Sequence, residues 1–503
     1  MFIIDKDFLT TYCSKKYEGD INNLTEIDLS YLRIVYIKKD TFSGLTNLKK
    51  LFLNSNRICE LDDDLFVDLI NLNYLCINNN RITSLNNIFK NNKNLEILSI
   101  GYNRLTNIDF IKDLTKLTKL FLNNNRISKL KSNIFDKLTN LETLKLEHNL
   151  IVDLNKKLFY NTTNLIKLNL GFNMIHKLHY NLFSELYQLE HLELNNNKIT
   201  YLHPYLFFKN YNLESLNLEY NLIRGIAPCL FVNLINLTIL DLGNNYIRKL
   251  DDKTFQNNNF LKLLLLNNNC IQHIQKNLFI YLTVLEELIL RFNNITTIDN
   301  DAFNNLVSLE ILDLSYNNLT YISSKLFNKL LNLNDISLNC NKIIYIEPIV
   351  FDNLENLEYL NLNNNHIIND NYKKNISHCN NNNNLINGTE KYNILMDILY
   401  YKYNVRLNSL ELLFNNANIF RNLNNDTVNT VNNISKHPVV TRIDILKRIL
   451  HIRNYDNNVL YRLKYLPIKQ LGIQYREFII YYNLLKYLPI CADTISHIYG
   501  FLI

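Results

Sequence analysis

Apolar residues return along this chain with a period close to 24. Leucine stands at Leu24, Leu48, Leu72, Leu95, Leu117, Leu141, Leu165, Leu189, Leu213, Leu237, Leu261, Leu285, Leu309, Leu333 and Leu357, which opens fifteen units. Eight residues after each leucine from Leu48 onward stands an asparagine: Asn56, Asn80, Asn103, Asn125, Asn149, Asn173, Asn197, Asn221, Asn245, Asn269, Asn293, Asn317, Asn341 and Asn365. A period this regular decides the architecture before local propensity is read. Stacked copies offer one long surface and few deep pockets.

The unit at Leu309 shows the logic. Leu312 and Leu314 alternate with Asp313, as in a short strand with one face inward. Asn317 falls where the chain must turn away. A buried asparagine there carries both an acceptor and donors for backbone groups that the turn leaves unpaired. The remaining residues return over the convex side and tuck in Phe327 and Leu330. No unit can bury this face alone, so neighbours must stack.

The pattern resembles the leucine-rich repeat family, in its 24-residue, phenylalanine-bearing form, over residues 24–370. Phenylalanine recurs at one place in every complete 24-residue unit: Phe42, Phe66, Phe135, Phe159, Phe183, Phe207, Phe231, Phe255, Phe279, Phe303, Phe327 and Phe351. The resemblance implies an α/β solenoid, a horseshoe with a parallel sheet on its concave side. The first unit carries Leu32 in place of the asparagine and reads as a degenerate end repeat. The units at Leu72 and Leu95 are 23 and 22 residues long, which predicts an irregularity near Asn86–Phe89 and Ile108–Asp113. Pro204, Pro228 and Pro348 share one position, where an extended convex segment needs no ladder hydrogen bond.

The ends of such a solenoid need covers. Residues 1–23 are the expected N-terminal cap, with Phe2, Ile3, Ile4, Phe8, Leu9 and Tyr12 available to pack on the first unit. Residues 371–390 read as an Asn-rich linker. Residues 391–503 change period: Tyr392–Tyr403, Ile443–Ile452 and Phe478–Tyr487 carry helix-like spacing, which predicts a small C-terminal helical domain.

Within residues 486–503, Leu488 and Pro489 precede apolar Ile495, Ile498, Phe501 and Leu502. This is similar to the opening helix of an F-box, and to the truncated F-box-like tails of repeat proteins from poxviruses and other large DNA viruses. Such tails imply docking on the adaptor subunit of a host cullin ubiquitin ligase. Two extra residues interrupt the match, and an amphipathic helix closing a domain core has the same spacing. A rival likeness joins Cys491 and Asp493 to the Cys-x-Asp motif of bacterial ubiquitin ligases. No base other than His497 is placed by sequence, and those enzymes carry a larger catalytic domain.

Composition narrows the function. The chain is 47% hydrophobic and 20% charged, ample for a continuous core. Its abundant Asn, Ile, Leu, Tyr and Lys read as an AT-rich genome. A net charge of +6 over 503 residues is too weak to argue for nucleic acid. No uncharged apolar run reaches the roughly 18 residues that span a bilayer, and the N-terminus lacks a secretory pattern. Eight scattered cysteines form no end cluster, which favours a reducing compartment. Nine glycines form no phosphate-cradling loop, and no histidine pair has metal spacing. The expectation is therefore no enzyme and no cofactor.

The concave face is the candidate binding surface. Residues flanking the inward leucines include Glu142, Glu147, Glu190, Glu193, Glu214, Glu219, Asp241, Glu286, Glu287, Glu310 and Asp313, against Lys145, Lys167, Lys262 and Arg291. This acidic stretch would steer a partner with a basic patch. Tyr102, Phe172, Tyr220, Phe292 and Tyr316 recur just before the ladder asparagine. They offer a stripe of binding anchors, or they pack on neighbours along the sheet. The sequence thus reads as a cytoplasmic protein–protein interaction scaffold, in its narrowest form a viral substrate-recognition subunit for a host cullin ligase. The alternative is a secreted or surface recognition protein.

Overall fold

The computed structural model describes residues 2–368. Fifteen three-residue strands, from Glu26–Asp28 to Tyr359–Asn361, fall at the same place in each unit. They form one parallel sheet whose order follows the sequence. Register is in phase throughout: Leu312 lies against Leu288 on one side and Ile336 on the other. The middle residue of each strand points into the core and its two neighbours stand on the open face. A strand of three residues is too short to persist alone; in-phase stacking supplies its hydrogen bonds and buries its leucine.

Each ladder asparagine ties two turns together. In Asn197, Oδ1 accepts from the Ile175 amide at 2.9 Å, while Nδ2 donates to the carbonyls of Leu170 and Leu194, both at 3.0 Å. The same three bonds repeat from Asn56 to Asn365. Two of the three reach back to the preceding turn. The residue just before each asparagine is left-handed, with φ between 51° and 59° from Ser55 to Asn364. The turn is what aims the asparagine inward. Six of these positions are themselves asparagine (Asn79, Asn124, Asn196, Asn244, Asn268 and Asn364), the non-glycine residue that tolerates this conformation best.

The return layer departs from the expected α/β solenoid. Among the described residues the one α-helix is Lys6–Lys16, ahead of the repeats. Return segments are chains of tight turns, such as the bonds from Leu326 to Ser323, Leu330 to Phe327 and Leu333 to Leu330. A unit of 24 residues leaves too few for a stable helix once strand and turn are built. Pro204 and Pro228 sit at the second position of turns closed by Leu206 to His203 and Leu230 to Ala227. Fixed φ therefore starts a turn here rather than extending a segment.

Phenylalanine rings fill the space behind the turns, stacked about one turn apart; Phe231 and Phe255 have centroids 6.4 Å apart and rings 2° from parallel. In the shortened units Phe89 and Phe110 enter the same stack, with centroids 6.1 Å from Phe66 to Phe89 and 5.9 Å from Phe89 to Phe110. A short 3-10 turn, Asp109–Ile111, absorbs the deletion in the second of these units. The irregularity is thus local: Phe66, Phe89 and Phe110 keep ring contact across the shortened units, and stacking resumes at Phe135 and Phe159.

Asparagine has further structural uses. Buried Asn92, Asn210 and Asn258 each donate to two carbonyls of the preceding return segment. An exposed column just before the unit leucine, including Asn71, Asn164, Asn236 and Asn356, donates to the carbonyl 25 residues earlier. The abundance of this residue follows from backbone carbonyls that need a donor at each turn, beyond any codon bias.

Residues at the N-terminal end pack on the first turn. Ile3–Ile4 pairs in parallel with Tyr36–Ile37, and Asp5 caps the helix by accepting from the Phe8 amide at 3.1 Å. Ile4, Leu9 and Cys13 are buried in the core, Phe8 and Tyr12 pack against it, and Phe2 and Ile3 stay exposed. The expected linker and C-terminal helical domain lie outside the described residues.

Replacing Asn197 by Ala should orphan the Ile175 amide, while the Leu170 and Leu194 carbonyls each keep a second donor, Asn173 Nδ2 and Asn221 Nδ2. A buried unpaired group costs about 1–3 kcal/mol, so hydrogen exchange at Ile175 should accelerate sharply, while Ile199, whose amide is held by Asn221, and distant turns stay protected. Unchanged protection at Ile175 would show that the ladder is not a stabilising element.

Candidate interaction face

The open face of the sheet is built from parallel columns of side chains, because every turn adds one residue in register with the last. Most of the acidic residues fall into three columns at different depths, and Glu287 opens its strand in a fourth. Glu142, Glu190, Glu214, Glu286 and Glu310 precede their strands and line one border, exposed or half-buried. Lys262 pairs with Glu286 across one turn at 2.7 Å. Glu193, Asp241 and Asp313 end their strands in the middle of the face. Glu147 and Glu219 lie one step deeper, and Glu219 is only 3% exposed, its Oε1 accepting from Asn244 Nδ2 at 2.9 Å.

The aromatic residues occupy the left-handed position: φ is 55° at Tyr102, 54° at Phe172, 51° at Tyr220, 52° at Phe292 and 53° at Tyr316. All five are half-buried. They do not make a continuous stripe. Phe292 stacks on Tyr316 at 4.1 Å and Phe172 on His148 at 4.0 Å, while asparagines interrupt the column elsewhere. Arg291, 9% exposed, lies 5.1 Å over the Phe292 ring and pairs with Asp313 at 3.9 Å.

The periodicity hid a cluster in the same region. Ile239 sits beside Leu263, Leu265 beside Ile289, and Ile311 beside Glu287, all on the open face. Ile239 is 40% exposed and the other four apolar residues are half-buried. In the run Leu261–Leu266, inward and outward leucines look alike; alternation against the ladder position is what separates them. Asp241, Glu287, Asp313 and Asp335 border this patch. Burial, together with the charge of Asp313, pushes the Asp335 carboxyl up to about 7, against a weaker lowering by its hydrogen bond with Ser337.

Among the described residues no group of three or more His, Cys, Asp or Glu side chains is arranged to hold a metal ion. The six described cysteines are all free thiols. No helix of these residues is long and apolar enough to cross a membrane. The tail positions Leu488, Pro489, Ile495, Ile498, Phe501 and Leu502 lie outside the described residues.

Comparison with known proteins follows the same repeats. A sequence profile described as Leucine rich repeat matches in overlapping stretches from 22–82 to 139–199 and again at 319–367. A profile described as BspA type Leucine rich repeat region matches residues 176–309. No curated protein matches the chain in sequence. Among solved structures, a leucine-rich repeat protein of Leptospira interrogans is similar, with 24% identity, a TM-score of 0.60, and coverage of 76% of this chain and 98% of that one. The functional domain of InlJ of Listeria monocytogenes aligns at 22% identity and TM-score 0.58, over 75% of this chain and 78% of its own. Toll, from the Toll–Spatzle complex of Drosophila, aligns at 22% and 0.54, over 72% and 55%. At these identities the likeness is one of fold, and with the profile matches across the repeats it establishes that the chain belongs to the leucine-rich repeat family.

Proposed function

We propose that the protein is a protein–protein interaction scaffold whose open sheet face holds a partner with a basic, partly apolar surface. The observation that carries this is the patch of Ile239, Leu263, Leu265, Ile289 and Ile311 ringed by carboxylates. An apolar centre supplies binding energy once water leaves it, and the charged rim supplies orientation and approach rate. The Toll solenoid is itself described in complex with a protein, Spatzle. Leu265→Gln with Ile289→Gln should lower partner affinity by about 2 kcal/mol or more, and Glu190→Lys, Glu214→Lys and Glu286→Lys should abolish capture of the same partner with the fold intact by circular dichroism. Retention by both sets would place the binding surface elsewhere.

The charge of this face depends on pH. Asp335 holds its proton up to about 7 when folded, against an ordinary 3.8. Between those values the folded chain binds the extra proton, so stability falls as pH rises and levels off above about 7. Asp335→Asn should flatten that slope in denaturant titrations between pH 4 and 7. A slope identical to that of the native chain would assign the titration to another group.

The narrower role is that of a substrate-recognition subunit for a host cullin ligase, acting in the cytoplasm and encoded by a large DNA virus. Its support is the Leu488–Pro489 start and the spacing of Ile495, Ile498, Phe501 and Leu502. The full chain should capture a cullin adaptor from host lysate, and Leu488→Ala with Ile495→Asp should release it. Failure of the native chain to capture any adaptor removes this role and leaves the scaffold. A secreted or surface recognition protein is the competing role, and occupied glycosylation sequons at Asn161 or Asn294 on the protein from its native host would favour it.

A further inference from the structure

One edge of the solenoid carries an ordered set of charges that the open face does not explain. Residues 1–223 contain five arginines, and all five stand immediately after the ladder position: Arg33, Arg57, Arg81, Arg104 and Arg126. Lysines of the same span are spread over other positions, and Lys198 alone shares the column. Backbone bonds hold the column in line. Arg57 donates to Ile34 at 2.7 Å, and Arg81, Arg104 and Arg126 donate to Ile58, Ile82 and Leu105 at 2.8 Å. Four of the side chains are exposed and Arg81 is half-buried. Among the described residues the one arginine in an ion pair is Arg291, far along the chain.

Flanking columns leave this charge uncompensated. Ser55, Asn79, Tyr102 and Asn124 run on one side, Cys59, Thr83, Thr106 and Ser128 on the other; Glu60 is the first carboxylate beyond them. Five like charges at one rung each repel, which favours an opposite charge laid along them. Past Arg126 the same column becomes apolar. Leu150 is 47% exposed, Met174 38%, Leu222 38% and Tyr246 52%, with Lys198 between them. The edge is thus basic over five turns and apolar at four of the next five, Lys198 being the exception.

We propose that this edge docks an α-helix of a partner protein, acidic along one half of its contact stripe and apolar along the other. Spacing decides the occupant. Turns of the solenoid repeat at about 4.8 Å, the distance between adjacent strands. A helix presents one residue per turn at about 5.4 Å, a β-strand presents same-face residues at about 6.7 Å, and a duplex strand carries phosphates every 3.4 Å along its axis, roughly. Over the four intervals between five arginines the mismatch grows to about 2 Å for the helix, about 8 Å for the strand and about 6 Å for the phosphates. Arginine side chains are long enough to absorb the first and not the others. The apolar half fits the same helix, whereas a nucleic acid offers no partner for Leu150 and Met174. Helix-in-groove docking uses the same i, i+3, i+4 anchors.

The test uses the full chain and a fluorescein-labelled, alanine-based helical peptide of about 28 residues, long enough to run beside ten turns. Its stripe carries Glu in one half and Leu in the other. Fluorescence anisotropy should show binding that weakens as salt rises. Arg81→Glu with Arg104→Glu should lower affinity at least about tenfold. Leu150→Gln with Met174→Gln should lower it without changing the salt dependence. Glu214→Lys and Glu286→Lys on the open face should leave it unchanged, so this surface and the proposed open-face site stand or fall separately. If charge reversal unfolds the chain, Arg81→Gln with Arg104→Gln carries the same expectation. No binding by the native chain, or binding indifferent to both edge pairs, overturns the proposal. So does tight binding of single-stranded RNA or heparin that depends on the arginines and ignores Leu150 and Met174, which would make the edge a polyanion site.

Discussion

The structure depends on buried carboxamides answering backbone groups that a stacked turn cannot satisfy by itself. Where each chain turn leaves its strand, one amide and two carbonyls face the interior with no ladder partner. An asparagine side chain has the two donors and the acceptor that match them, in a fixed plane. Glutamine would overshoot, aspartate would lack donors, and an apolar residue would orphan the amide and strip each carbonyl of one of its two donors. Leucine and phenylalanine supply the mass of the core, but they are tolerant of exchange among themselves. The carboxamide is not, and it explains why the repeat is so narrowly spaced along the sequence.

That constraint also shapes the surfaces. With each turn held in register, a residue type repeated at one position becomes a column, and a column becomes a property of the molecule. The three acidic columns, the apolar patch around Leu263 and Ile289, and the arginine edge all arise this way. The arginine edge lies on a different strip from the open face, where the apolar patch interrupts the acidic columns, so one solenoid presents chemically distinct surfaces. The aromatic residues near the ladder belong partly to the framework. They occupy a left-handed position where a bulky side chain pays about 1–2 kcal/mol, and the stacked pairs Phe172–His148 and Phe292–Tyr316 help offset it.

Much of this was legible from spacing. The strands, the fourteen ladder asparagines and the twelve phenylalanines follow from a count along the chain, because each is needed once per turn. What the count did not deliver had specific causes. Asn79, Asn124 and Asn196 stand out in no count of ladder positions, although a doubled asparagine is also a sign of left-handed backbone. Phe89 and Phe110 fell out of register with the 24-residue frame, yet packing drew them into the same stack. The outward Leu263 and Leu265 were camouflaged by inward neighbours in one apolar run. The arginine column was fully visible, but net charge averaged over the chain concealed a local concentration. The return layer differs from the anticipated α/β form because tight turns, not helices, fit the residues left in each unit.

The ladder bonds also have a direction. Each asparagine reaches back to the turn made before it, never forward, so the groups it binds are already in place when it arrives. A chain leaving the ribosome amino end first can therefore lock its coils one at a time, each new rung sealing the last. Ile4, Leu9 and Cys13, buried against the opening turn, give that growth a solid floor from which to start.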